Sequence, residues 1–257
     1  MKTRADVVFL NGSVITVDSQ DRVCQGAAVA GNQILAAGTS AEMKALAGPE
    51  TKIIDLQGRS LAPGFIDAHC HAGNYGPVRF NIVCTAGVIP SIEELKKEIR
   101  KRAATTPKGG WILGRGYDNT KLKENRHPTR WDFDEAAPEH KVFVLRTCGH
   151  LGVVNSLALK EFGIQKGSPE PHGGRIDRDK EGEPTGLLYE QALVPIRMST
   201  QPTYDDFLRG LKIMNEDFLR YGITSVTDAS GRNADEIRAF QTAVAEDWLK
   251  VRIYFQV

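Results

Sequence analysis

No uninterrupted apolar run in this 257-residue sequence approaches the roughly 18–20 residues that a membrane-spanning helix needs, so no membrane partner is expected. Neither sign of charge dominates. The 33 Lys and Arg residues against 32 Asp and Glu leave a net charge of +1, which gives no basis for binding nucleic acid or an anionic lipid surface. Cysteine is scarce: Cys24, Cys70, Cys84 and Cys148 are far apart and form no Cys-x-x-Cys pair. The expectation is reduced thiols in a cytoplasmic protein. Met1-Lys2-Thr3-Arg4-Ala5-Asp6 leads into a strand-like run with no signal-peptide core behind it. What is present is an ordinary soluble composition, 41% hydrophobic and 25% charged, with enough apolar material for a sizeable core.

One stretch carries chemistry. In Leu61-Ala62-Pro63-Gly64-Phe65-Ile66-Asp67-Ala68-His69-Cys70-His71 a Pro-Gly turn precedes a strand pattern. Side chains alternate between the two faces of a buried strand, so Asp67, His69 and His71 share one face. Ile66, Ala68 and Cys70 take the other. Two imidazoles one residue apart on a strand can bind one metal ion, each with a nitrogen about 2.0–2.1 Å from a zinc. His-x-His alone is weak; the turn, the apolar start and the preceding aspartate narrow the reading to a metal site. Asp67 is expected to orient a histidine rather than to bind, and Cys70 to be a small buried residue.

Before that stretch the chain reads as short strands broken by turns. Asp6–Leu10 and Ser13–Val17 flank Asn11-Gly12, a hairpin signal. Gly26–Ala30 and Gln33–Ala37 flank Gly31-Asn32, a second one. Ser40–Leu46 is expected to be a short helix capped by Ser40, and Lys52–Leu56 resumes extended structure.

After it, residues 72–77 read as loop. Ser91 opens a helix with Glu94 as its capping-box partner, burying Ile92, Leu95, Ile99 and Ala103 and leaving Lys96, Lys97, Lys101 and Arg102 on solvated faces. Trp111–Tyr117 and Lys141–Arg146 are strands, Arg130–Asp134 is a short helix, and Asn155–Phe162 is a helix closed by Gly163. The stretch from Pro169 to Pro184 is turn-rich. Thr203, with Asp206, opens the longest helix, whose buried stripe is Phe207, Leu211, Met214 and Phe218. Ile223–Asp228, a helix capped by Asn233, and Val251–Gln256 make a βαβ unit, expected to be parallel.

These motifs carry a resemblance. The string from Pro63 to His71 resembles the first barrel strand of the amidohydrolase superfamily. Trp111–Tyr117, Cys148-Gly149-His150 with Val154–Leu159, Gly173–Asp179, and Gly182–Glu190, in that order, are similar to the subgroup that includes N-substituted formamide deformylase. The resemblance covers nearly the whole chain. It implies an α/β fold: a (β/α)8 TIM-like metal-dependent hydrolase barrel, incomplete in this chain, with a small N-terminal β domain over 1–62. The first part of the barrel occupies 63–257, with a long α/β insertion at about 72–202. Strands at 65–71, 223–228 and 251–256 are three of the eight a barrel needs. The expectation is therefore the N-terminal portion of a chain roughly twice as long, or one completed by a partner: a homo-oligomer or a C-terminal segment.

The resemblance implies that His69 and His71 bind a divalent metal, zinc first among the options, as one or two ions. Further ligands and a catalytic aspartate would lie beyond Val257. His150 and Glu190 are the next candidates for catalysis. His150 reads alternatively as a helix-capping histidine or one that fixes the insertion, and Glu190 as a helix-start glutamate. His127, His140 and His172 fall in polar, proline-flanked loops and are expected at the surface. The implied activity is metal-dependent hydrolysis of a non-peptide C–N bond, amide or formamide-like, in a small-molecule substrate. The alternative is a non-catalytic or partner-completed barrel protein that keeps the fold for binding or assembly; a barrel isomerase or lyase is a third.

Overall fold

The computed structural model describes residues 4–229 and 233–256. The chain divides into two compact units, one running through Asp67 with Tyr221–Ser225, the other comprising Ala68–Arg220 with Val226 onward.

The first unit is built from short strands. β1 (Ala5–Leu10), β2 (Ser13–Ile15), β3 (Val23–Cys24), β4 (Gly26–Ala30) and β5 (Gln33–Gly38) precede a short helix α1 (Ser40–Lys44), and β6 (Ala47–Asp55) and β7 (Ser60–Leu61) follow it. They form two sheets, ordered β5-β4-β1-β6 and β3-β2-β7. The β4–β5 hairpin forms across Gly31, whose φ of +57° is the left-handed conformation that glycine tolerates. Asn11-Gly12 does not make the expected hairpin. β1 pairs with β4 and β6, and β2 with β3 and β7, so Asn11-Gly12 is a corner where the chain changes sheets. Gly12 sits so close to Leu56 that a Cβ would lie 2.4 Å from its Cδ1, and its N–H bonds the Gln25 carbonyl. α1 is capped by Thr39 rather than Ser40: Thr39 and Glu42 form the reciprocal capping box, while the Ser40 hydroxyl accepts the Asn11 N–H.

The next elements are β8 (Phe65–Cys70), α2 (Ala72–Tyr75), β9 (Ile82–Val83), α3 (Ile92–Ala103), β10 (Trp111–Tyr117), α4 (Arg130–Ala136), β11 (Lys141–Arg146), β12 (Leu151–Val154), α5 (Ser156–Glu161), β13 (Gly174–Arg178), β14 (Pro184–Glu190), α6 (Val194–Ser199), α7 (Tyr204–Arg220), β15 (Ile223–Asp228), α8 (Ala234–Ala245) and β16 (Arg252–Phe255). Residues 72–80 are thus a helical turn and a 3-10 turn, not loop.

The second unit is organised on a six-stranded sheet, β13-β14-β12-β11-β10-β9. β9, β10 and β11 run parallel, joined through α3 and α4; the other pairings are antiparallel. Period-2 alternation splits its side chains between two cores. Ile112, Val142, Val144, Val153 and Leu187 pack against Leu95, Ile99 and Phe133 of α3 and α4. Phe143, Val154, Ile176 and Leu188 pack against Leu159 and Ile196. β12, β13 and β14 fall where the sequence shows a loop and turns, because prolines and glycines punctuate short antiparallel strands, with β14 lying between β12 and β13. Lys96 is also buried rather than solvated: Glu93 and Glu135 hold its ammonium at 3.0 and 2.6 Å.

A third sheet is ordered β16-β15-β8. It contains the three strands expected of the barrel. β8 was expected to be buried, yet Phe65 and Ile66 are 66% and 72% exposed and Cys70 is half-buried. β8 lies at the edge of the sheet, with β15 its one neighbour among the described residues, and an edge strand packs against less of the fold than a central one.

Candidate metal and substrate site

His69 lies near the end of β8, and His71 stands just beyond it at the cap of α2. Both are exposed. Their ring centroids are 5.8 Å apart with planes at 87°. Two imidazoles on one tetrahedral zinc place their centres about 5 Å apart, given Zn–N distances of about 2.1 Å, a separation close to the one seen here. Among the described residues, no group of three His, Cys, Asp or Glu side chains is positioned to hold one. The pair offers two imidazole donors at most.

The segment after His71 is firmly held. Gly73 donates its N–H to Oδ2 of the fully buried Asp228 at 3.2 Å. Gly73 also leaves no room for a side chain, since a Cβ would fall 1.9 Å from Oε1 of the buried Glu236. Two buried carboxylates thus crowd the backbone two residues beyond His71. Neither acid stands out in the sequence as a candidate. The available signal was Asp228 at the C-terminal end of its strand, where barrel chemistry gathers. Tyr75 stacks edge-on with Phe218 at 4.8 Å and its hydroxyl meets Asp217 at 3.1 Å, tying α2 to α7.

His150 and Glu190 are brought together. Nδ1 of His150 lies 3.2 Å from a Glu190 oxygen, with both side chains exposed. Glu190 both ends β14 and stands at the N-cap of a 3-10 turn, Gln191–Leu193, with φ 46° and ψ −117°, but its side chain makes no capping bond. His150 does not cap α5, whose cap is Asn155. Beside His150, partial burial opposes ionisation of the Cys148 thiol, but the His150 N–H and the Arg146 guanidinium outweigh it and hold its pKa below the ordinary thiol range. Burial pushes the Cys84 thiol up to about 12.

Two of the histidines expected at the surface are not there. His140 is buried, its Nε2 3.0 Å from the Thr106 carbonyl and its own carbonyl accepting from Asn155. His127 is half-buried against the Tyr117 hydroxyl at 3.0 Å, and burial lowers its pKa. Nearby apolar packing overrode their polar sequence neighbours. His172 is exposed.

A cleft of about 940 Å³ runs through the second unit. Its lining includes His71 and Tyr75, Trp111 and Leu113 of β10, Phe143 of β11, and Arg197.

The whole is an α/β protein with paired imidazoles at a strand end, one of them opening onto a cleft. The chain belongs to the amidohydrolase family, whose sequence model matches residues 52–254. N-substituted formamide deformylase of Arthrobacter pascens is 32% identical over 234 residues, covering 89% of this chain and 43% of that protein. A metal-dependent hydrolase from Pyrococcus horikoshii OT3 superposes with a TM-score of 0.75 at 25% identity, covering 98% of this chain and 48% of that one. A metal-dependent hydrolase from Pyrococcus furiosus gives 0.74 at 27% identity, covering 97% and 49%. The chain thus spans about half the length, or less, of these relatives. Their likeness assigns it a TIM-like hydrolase fold, although its strands close no barrel among the described residues.

Proposed function

We propose that this chain is part of a metal-dependent amidohydrolase that cleaves a non-peptide C–N bond, amide or formamide-like, in a small molecule. The observation that carries the reading is the His69–His71 pair at the end of one strand, ring centroids 5.8 Å apart, with His71 lining the cleft. In this reading residues 1–62 are a small β domain, a barrel begins at 63, and about 72–202 are an insertion in it. The remaining strands come from a longer chain or a partner, in keeping with the 43% coverage of the deformylase.

His69 and His71 fit a divalent ion as two of the three protein ligands that catalytic zinc takes. An ion held there, zinc by preference, supplies Lewis acidity toward a scissile carbonyl. The chain's own residues do the rest. Asp228, through Gly73, steadies the backbone that presents His71. The cleft walls shield the substrate from bulk water. His150 and Glu190 form a proton-carrying pair near the cleft: Arg197, which lines it, bonds the Gly149 carbonyl at 2.8 Å. The four unbridged cysteines support a cytoplasmic setting.

The test uses the complete protein containing this chain, with amine release measured from a panel of N-substituted formamides and small amides. Metal content is read in parallel. The expected result is turnover with bound metal, both lost in the His69→Ala, His71→Ala double variant. Stoichiometric metal retained by that variant would defeat the assignment. A metal-loaded protein that releases no amine from any member would favour a binding or assembly role instead.

A further inference from the structure

Arginine in this molecule is usually paired. Arg22, Arg79, Arg100, Arg126, Arg130 and Arg146 each meet a carboxylate within 3.4 Å. A few meet only backbone carbonyls, Arg4, Arg59 and Arg178 among them, and the cleft gathers three without a carboxylate in one place. Arg102, Arg115 and Arg197 all line it, and among the described residues none of the three forms an ion pair. Arg102 donates to the Phe80 carbonyl at 2.7 Å and Arg197 to the Gly149 carbonyl at 2.8 Å, so each retains its full charge. The single acid in the lining, Asp206, is already engaged by Arg209 at 2.5 Å and by the Thr203 hydroxyl at 2.7 Å.

Part of the lining is apolar and ordered. Trp111, Leu113 and Arg115 alternate onto one face of β10. In the parallel register Leu113 stands beside Phe143 and Arg115 beside Leu145. Arg115 is exposed. A guanidinium at one end of a platform of Leu113, Phe143 and Trp111 presents a planar fork for a carboxylate and ring faces for an apolar body.

We infer that this cleft binds a small organic carboxylate, its apolar or aromatic body on the Leu113–Phe143 platform and its carboxylate taken by Arg115. Such a ligand also offsets the mutual repulsion of three like charges around one cavity. That the ligand is the enzyme's substrate rests on the amidohydrolase reading; that the anion binds does not.

The experiment is calorimetric or NMR titration of the complete protein containing this chain, with chelator present and ionic strength held constant. The probes are benzoate, 3-phenylpropionate and the neutral benzamide. Saturable benzoate binding is expected, at least about tenfold tighter than benzamide, as one charge-assisted pair would give. Arg115→Gln should bring benzoate down to the level of benzamide with the fold intact, and Arg238→Gln on α8 should change nothing. Trp111→Leu should weaken all three aromatic ligands alike. Benzoate that fails to saturate, that binds no better than benzamide, or that binds Arg115→Gln as it does the unaltered chain overturns the inference. Because no metal or turnover enters the readout, a protein that binds benzoate but releases no amine defeats only the proposed function.

Discussion

Nδ1 of His150 lies 3.2 Å from Oε1 of Glu190, and the Glu190 N–H bonds the His150 carbonyl at 2.9 Å, so side chain and backbone join the same two residues. The backbone at Glu190 is unusual. Its φ of 46° and ψ of −117° match the first central position of a type II′ turn, where glycine is at home. A residue with a side chain held there costs on the order of 1–3 kcal/mol.

Glu190→Gly should therefore raise stability by about 1 kcal/mol, while Glu190→Gln, which keeps the strain, should leave it unchanged. In the complete enzyme both should lower turnover, because both remove the carboxylate facing His150. Thermal melts and amine release separate the two effects. A Glu190→Gly protein with full activity would leave the carboxylate without a catalytic part.

Asp132 governs part of the acid response. Burial pushes its carboxyl up, but the two-pronged bond from Arg126, at 2.7 and 2.9 Å, and the Thr129 donors outweigh it, so its pKa lies below the ordinary range. A pKa lowered by folding contributes stability that is full above the unfolded value of about 3.9 and is lost as pH falls through the folded one. Asp132→Asn should cost about 1–2 kcal/mol at pH 7. The gap from the unaltered chain should close as the pH is taken below the ordinary Asp range. Urea unfolding at pH 7 and in acid measures it; a gap of constant size would show that charge plays no part.

The elements with strong local signals were legible. The capping box at Thr203, the helix start at Ser91, the stripe from Phe207 to Phe218 and the strands carrying Trp111 and Val142 are written in spacing that neighbouring residues alone decide. β13 and β14 were not, because Gly173, Gly182 and Pro184 mark turns without revealing that the short pieces between them pair. The His69–His71 pair was legible from a single strand. Its surroundings were not: Asp228 and Glu236 reach Gly73 across more than 150 residues, and no local pattern announces that approach. The same holds for the cleft arginines, whose meaning lies in the carboxylates they do not meet.

Gly210 is the sharpest case of a residue explained only by a distant one. It lies inside α7, where glycine costs about 1 kcal/mol relative to alanine. Replacing it should help the helix taken alone. In the fold, however, a Cβ on Gly210 would fall 2.3 Å from Cδ of Pro77, and one on Gly76 would fall 2.1 Å from the Cα of Gly210. Two backbones touch there, and the contact seats the His71–Pro77 segment on α7. Overpacking of this kind costs about 1–3 kcal/mol, and here it is met by backbone and a proline ring that have little freedom to move. Gly210→Ala and Gly76→Ala should each destabilise despite the gain in propensity, and the double variant should cost less than the sum, because both lesions spoil one contact. Gly87→Ala, with open space around it, should be neutral or stabilising by a few tenths of a kcal/mol. Urea denaturation of the four variants decides it: an alanine at 210 that stabilises the chain would mean that α2 stands off from α7 in solution and that His71 is not held where the site needs it.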